Sequence, residues 1–462
     1  MSRVEQQGVP TFTIVRQGFA GVIRNCFLSM GFTHDAALFE FPSNMFLPDS
    51  DLSPLEQNIE KIIAGLTGWE PSKKSQVTDA PKTIEVEGAD YGDVLDKMNA
   101  LFLKNGWGDG LPLFAATEER VSVLLAGTDL DREAAIGRIM PSGRTATVES
   151  LAVNLALTGG RPEYMPALIA ALKAFTDPGF RHQMMQATTC SVNLAAVVNG
   201  PISKQIRLNA GYGCLGPDPH QPAGGCIGRA IRLTQQNVGQ AIPGSGSMAI
   251  YGGPMKFTNV VFAEDEEGLP QGWEPLSVER GFAYSSNVIT IHAVATATNI
   301  TSIHAANEQT VLETLHYFAR ILGSDYGNMF RNFYEHNAPG ILIVPRGIAQ
   351  GMVDAGWTKQ TIKKFLWENS KFSWAVMQSD SEAFRRYDTH VKPYVREGEP
   401  WPIAVKPENL IIVIAGGKQS GHAYWMRLGC CPTRPISTEI ELPKNWDALI
   451  KKAEKDLGAI SI

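Results

Sequence analysis

The chain is short of several things at once, and each shortage removes a class of protein. Cysteine is scarce, six in 462 residues, too few for a disulfide framework, so free thiols are expected. No CxxC pair and no HExxH motif occurs, which removes the compact zinc signatures. Cys430 and Cys431 are adjacent, and neighbouring side chains diverge along the backbone. Scattered His182, Cys190, Cys214, His220 and Cys226 establish no metal site by spacing, and buried cysteine is more often a small hydrophobe. Basic runs are missing too: the net charge is −6 and the pI is near 5.9, which argues against nucleic acid as a partner. No uncharged apolar stretch of about 18 residues exists, so no membrane helix is expected. The start, MSRVEQQGVP, lacks the apolar core of a secretory leader, and a cytoplasmic location is the expectation. Nucleotide fingerprints are absent as well. Gly416-Gly417-Lys418 is followed by Gln419 and lacks the Walker spacing, while Gly244-Ser245-Gly246 lacks the strand–turn–helix setting of a dinucleotide site. Neither ATP nor NAD is supported, and no cofactor is identified.

What the chain does have is length for two or three domains and an ordinary globular composition, 44% hydrophobic and 19% charged. Its centre is the stretch from Gln186 to Lys256, which holds Cys190, Cys214 and Cys226 among many glycines, asparagines and prolines. Between Gly213 and Cys226 the only Asp, Glu, Lys or Arg is Asp218, and apolar runs flank the loop. Irregular backbone held between such runs suits the wall of a cleft.

Read in order, the chain opens β-α-β. Pro10–Val15 and Ala36–Phe41 read as strands around a helix from Phe19 to Met30, and Asp51 and Ser53 offer caps for a further helix. That order implies a parallel pair, which cannot form a stable sheet alone. Later strands of this chain or a partner polypeptide must complete it. The residues GVPTFTIVRQGFAGVIRNCFLSMGF and FEFPSNMFLPDSDLSPLEQNIEKIIAGLTGWEP resemble the second half of the UGSC-motif family. Those small α/β proteins, often selenoproteins, carry a Sec/Cys-Gly-Ser-Cys motif in their first half. The resemblance implies a half-domain at 1–70 without its thiol centre, completed by a small thiol or selenoprotein subunit. A polar linker is expected at 71–88, then one large domain at 89–462. WGDGLP at Trp107–Pro112, with RPEYMPALIAAL, VVNGP and IGRAIRL, is similar to a larger family often associated with that domain. The fold class expected is α/β: an incomplete parallel β-α-β unit plus a large mixed domain. No internal repeat is visible.

The candidate chemistry lies in thiols and in two turns. Cys190 sits just before a buried strand at Leu194–Val198, Cys214 lies in the glycine-rich loop, and Cys226 opens a helix expected at Cys226–Val238. A helix N-terminus favours the thiolate, and Arg229 near the same end fits an anion. Leu410–Ala415, the strongest buried-strand signal, runs into a turn with Lys418 to hold charge and His422 to exchange protons. Asp109, Asn199 and Lys256 complete the expected substrate contacts, with Cys190, Cys214, Cys226 and His422 as the catalytic candidates. The leading expectation is a subunit of a hetero-oligomeric enzyme acting on a small polar or anionic molecule. A partner would supply part of its thiol or selenol chemistry. A thiol-independent lyase or hydrolase within this chain, and a non-catalytic scaffold, are the alternatives.

Overall fold

In the computed structural model, the residues described are 2–5, 7–29, 32, 37–47, 49–68, 83–256, 258–324, 336–380, 384–418, 421–429 and 433–458. Most of the linker expected at 71–88 falls outside them, as do Cys430 and Cys431. The opening is the parallel pair expected: β1 (Thr13–Arg16) runs beside β2 (Leu38–Phe41), joined by the helix Ala20–Ser29. Gly65, on the helix Ile59–Thr67, sits against Phe12 and Ala37, and a Cβ there would meet Phe12 Cδ2 at 2.3 Å. A hairpin of β3 (Ala135–Ile139) and β4 (Arg144–Thr147) follows the helices Tyr91–Asn105 and Glu118–Leu125.

The remaining strands form one mixed sheet of seven. They are β5 (Asn193–Asn199), β6 (Val260–Ala263), β7 (Val288–Thr301), β8 (Gly340–Val344), β9 (Ile411–Ile414), β10 (His422–Leu428) and β11 (Ile436–Glu439). Their order is β6-β5-β7-β10-β8-β9, with β11 on the free flank of β7. That order reads the same from both ends. β5 pairs with β6 in parallel and with β7 antiparallel; β8 pairs with β9 in parallel and with β10 antiparallel. The antiparallel β7–β10 pair joins the two halves. β5, β6 and β7 are thus paired in the same pattern as β8, β9 and β10.

The sheet curls until its edges meet. Asp265, just past β6, donates its N–H to Ile414 O of β9 at 2.7 Å. The segment Asn209–Ala210 bridges the same seam, through Ala263 N to Asn209 O and Gly416 N to Ala210 O, both 2.9 Å. Arg346 and Asp265 close it with a two-pronged ion pair. Alternation along each strand then divides the side chains. Ala195, Val197, Val260, Phe262, Ile341, Ile343, Ile411 and Val413 fill the inside of the curl. Leu194, Ala196 and Val198 face a helical layer that contains Val148–Leu157, Met165–Thr176 and Ala223–Asn237. Leu342, Val344, Ile412 and Ile414 face a second layer, built on Glu308–Leu322, Arg346–Asp354 and Lys359–Asn369. Capping boxes at Thr147/Ser150, Asn307/Thr310 and Thr358/Thr361 start three of these helices and fix where the layers begin. Among the described residues no helix is long and apolar enough to cross a membrane.

Candidate functional site

The connection from β6 to β7 passes under the starts of β8 and β9 and leaves a cleft of about 220 Å³ there. Glu279 and Arg280 line it from that connection, His336 and Ala338 from the approach to β8, and Lys363 from the helix Lys359–Asn369. Lys406, Glu408 and Asn409 close it from the approach to β9.

Its electrostatics turn on one carboxylate shared by two lysines. Glu279 Oε1 lies 2.5 Å from Lys359 Nζ and Oε2 lies 2.7 Å from Lys363 Nζ. Both ammoniums are withdrawn from water, their side chains 2% and 11% exposed. Lys359 also donates to the carbonyl of Glu274 at 3.0 Å. Burial pulls the pKa of Lys363 down, against the pull of Glu279. Arg280 is held by Ser437 Oγ at 3.1 Å and the Pro435 carbonyl at 2.8 Å. Burial, helped by Arg434, pulls its pKa down too. The two lysines share one carboxylate, and buried charge is costly unless matched.

Beneath them lies a second polar group, made by the ends of β5 and β6. Glu264 is wholly buried; its Oε2 accepts from Asn199 Nδ2 at 2.8 Å and from Leu276 N at 2.7 Å. Burial raises its pKa, opposed by Lys359 and by those two hydrogen bonds. Asn199 also donates to Glu266 Oε1 at 3.0 Å, which accepts Gly200 N–H at 2.6 Å. Gly200 has φ +90°, and a Cβ there would meet Ser286 O at 2.4 Å, so glycine is required. His292 of β7 reaches Ala338 O at 3.1 Å through Nε2, and burial lowers its pKa to about 4.

None of the nine residues expected from sequence lines this cleft; Asn199 comes nearest, holding Glu264 under it. Asp109 and Arg229 are brought together, but onto one another. Arg229 Nε and Nη2 reach the two carboxylate oxygens at 2.7 and 3.0 Å, and Nη2 also reaches Pro112 O at 3.0 Å. The pair pins the Trp107–Pro112 turn to the helix Ala223–Asn237, aided by Gly108 N–H to Asn237 Oδ1 at 2.9 Å. Each side chain is satisfied by the other in this structure. Asp109→Asn should therefore lower stability by about 1.5–3 kcal/mol, the usual cost of a charge-assisted bond, measured by denaturant unfolding, while anion binding in the cleft is unchanged.

The thiols depart from expectation. The helix begins at Ala223, so Cys226 lies inside its first turn rather than at its end. Burial raises the thiol pKa there despite Arg229 nearby. Cys214 lies inside the curl, and burial pushes it up to about 12. Desolvation outweighs the Arg229 charge at Cys226 and the backbone hydrogen bonds at Cys214. Cys190, half-buried, and buried Lys256 belong to one patch, where Met248 and Ile250 N–H pair with Gln186 and Thr189 O. Lys256 Nζ donates there to Ser247 Oγ at 2.9 Å. Lys418 is exposed on the β9–β10 turn, beside Tyr212 and the Cys214 loop. His422 is exposed at the start of β10, its Nδ1 3.3 Å from Asn299 Oδ1.

The cleft residues were legible only in part. Lys359 and Lys363 share a helical stripe with Ile362 and Leu366, and lysine on an apolar stripe signals a buried charge with a purpose. Among the described residues no cluster of three or more His, Cys, Asp or Glu side chains is placed to hold a metal ion. No family model, curated protein or solved structure matches the chain.

Proposed function

We propose that this chain is the anion-binding subunit of a hetero-oligomeric enzyme acting on a small anionic molecule, with a thiol or selenol supplied by a partner. The observation that carries the reading is the set of cations at the cleft, buried Lys359 and Lys363 with Arg280 on the wall, against the two carboxylates of Glu279 and Glu264. A bound anion would complete that balance. Burial raises the thiols of Cys26, Cys214 and Cys226, which favours a thiolate from outside the chain.

The opening unit supports the partner. Ile59, Ile63 and Leu66 form an exposed stripe on the helix Ile59–Thr67, and Ile14 of β1 is exposed as well. Two strands with an open apolar face make a poor sheet on their own. The helix Ala20–Ser29 ties the unit to the large domain, where Asn25 Nδ2 donates to Ser245 O at 2.9 Å. A UGSC-like half-domain adding strands to β1 or β2 is the partner this geometry suits. A second reading, acid–base chemistry within this chain, is favoured by one observation: the buried carboxyl of Glu264 under the cleft.

Thermal melting in sulfate, phosphate and small carboxylates, against chloride at equal ionic strength, tests the cleft. The wild type should gain stability with the polyvalent anions. Lys363→Met, which leaves Glu279 paired with Lys359, should lose at least about tenfold in affinity. Equal melting in all salts would contradict the reading. Co-expression with a small Cys-Gly-Ser-Cys protein tests the partner, and separate elution of the two would contradict it.

A further inference from the structure

We propose that Glu264 is the proton-exchanging group of this cleft: an anion entering beside Lys363 and Arg280 is taken up together with a proton from solvent, which lodges on Glu264 Oε1. The inference rests on the anion reading of the cleft. Its ground is an imbalance in hydrogen bonds. Glu264 Oε2 accepts twice, from Asn199 Nδ2 and Leu276 N, whereas the buried Oε1 accepts nothing. Asn199 Oδ1 is buried without a partner as well. Both orphans are acceptors, and they belong to side chains already joined by the Nδ2–Oε2 bond. One proton on Oε1 is the single addition that turns an acceptor into a donor within this pair.

The site is also placed for coupling to the cleft. Leu276, whose N–H holds Glu264, has a place in the cleft wall. The charged groups bearing on Glu264 are Lys359, which favours the carboxylate, and Glu279, which opposes it. Glu266 shares Asn199 with it, and Lys363 acts through Glu279. In the empty cleft, Lys359 supports ionised Glu264 against its burial. An anion beside Lys363 and Arg280 offsets that support, and the proton moves onto the carboxyl. Burial, which already raises the pKa of Glu264, works in the same direction. No bond other than the O–H changes: solvent loses a proton and Oε1 gains it.

The test is calorimetric titration of the full chain with sulfate, which stays a dianion near neutral pH, in buffers of different ionisation enthalpy. The wild type should take up as much as about one proton per sulfate and bind up to about tenfold tighter for each pH unit of acidification. Glu264→Gln should bind sulfate with no proton uptake and no pH dependence. His336→Asn, which removes the titratable ring of the cleft wall, should keep the uptake. An infrared difference spectrum of the wild type should gain a protonated-carboxyl band with sulfate, which serves where Glu264→Gln does not fold. Sulfate binding without proton uptake overturns the inference and leaves the anion reading standing. Uptake that survives Glu264→Gln and vanishes in His336→Asn overturns it equally. No sulfate binding at all overturns both.

Discussion

Lowering the pH from neutral to about 4 should cost this protein several kcal/mol of stability, through two buried histidines. Burial lowers the pKa of His182 and of His292 from the ordinary 6.5 to about 4. His182 lies against the ring of Phe175, centroids 4.7 Å apart, and accepts the N–H of Met140 on Nε2 at 3.1 Å. His292 sits among the strands, with Nε2 on Ala338 O. Above the ordinary histidine pKa neither state binds a proton and the two rings make no pH-dependent contribution. Between 6.5 and 4 the unfolded chain takes up protons that the folded chain refuses, so stability falls with pH. Each ring contributes a loss of about 3 kcal/mol by the lower end of that window. Glu264 runs the opposite way, its raised pKa weakening the fold as pH rises and the buried carboxyl ionises. Denaturant unfolding at neutral pH and near pH 4 measures the effect, and His182→Asn and His292→Asn should each flatten the acid limb. Acid-limb slopes identical in wild type and variants would contradict it.

Glu279→Gln should be the most damaging neutral substitution around the cleft. It removes the carboxylate shared by Lys359 and Lys363 and leaves two ammoniums in a site almost closed to water. Removing one partner of a buried pair costs about 3–5 kcal/mol, because the charge left behind has lost both water and counter-ion. An exposed pair would cost under about 1 kcal/mol. The buried value applies because both lysine side chains are at least 89% withdrawn from solvent, as the 2% and 11% exposures require. Lys363→Met in the same background should recover part of the loss, and the double-mutant cycle isolates that coupling. Added sulfate should stabilise Glu279→Gln more than the wild type, since the anion replaces the missing charge. A loss near that of a surface pair, with no response to sulfate, would remove the electrostatic argument for the cleft.

The fold was readable where one apolar run makes one element. Leu194–Val198, Gly340–Val344 and Leu410–Ala415 are buried on both faces, and they became β5, β8 and β9 with little change. The helix Tyr91–Asn105 likewise carries its stop signal in the sequence, Asn105-Gly106, with Gly106 at φ +64°. β10 and β11 were not. His422–Leu428 mixes Tyr, Trp, Met and Arg at alternate burial, and the glycines before it read as an open turn. The matching pairing of the two halves was hidden because they share no side-chain pattern: Glu264 and Asn199 stand at strand ends where the second half has alanine and proline.

The site was harder for a different reason. Its charges come from three separate segments, around Glu279, Lys363 and Lys406, and only the curl of the sheet joins them. Asp109 and Arg229 show the converse. Each alone has the chemistry of a ligand contact, yet each is satisfied by the other, 120 positions away. At Cys226 burial opposes the thiolate expected of a helix start, because sequence locates that start without telling how much of its first turn is covered.

The most direct measurement is anomalous diffraction from crystals soaked in selenate. A peak in the cleft, within hydrogen-bonding distance of the Arg280 guanidinium and the Lys363 ammonium and lost in Lys363→Met, is the predicted result. Selenate ordered elsewhere on the protein, with the cleft empty at concentrations that raise the melting temperature, would contradict it.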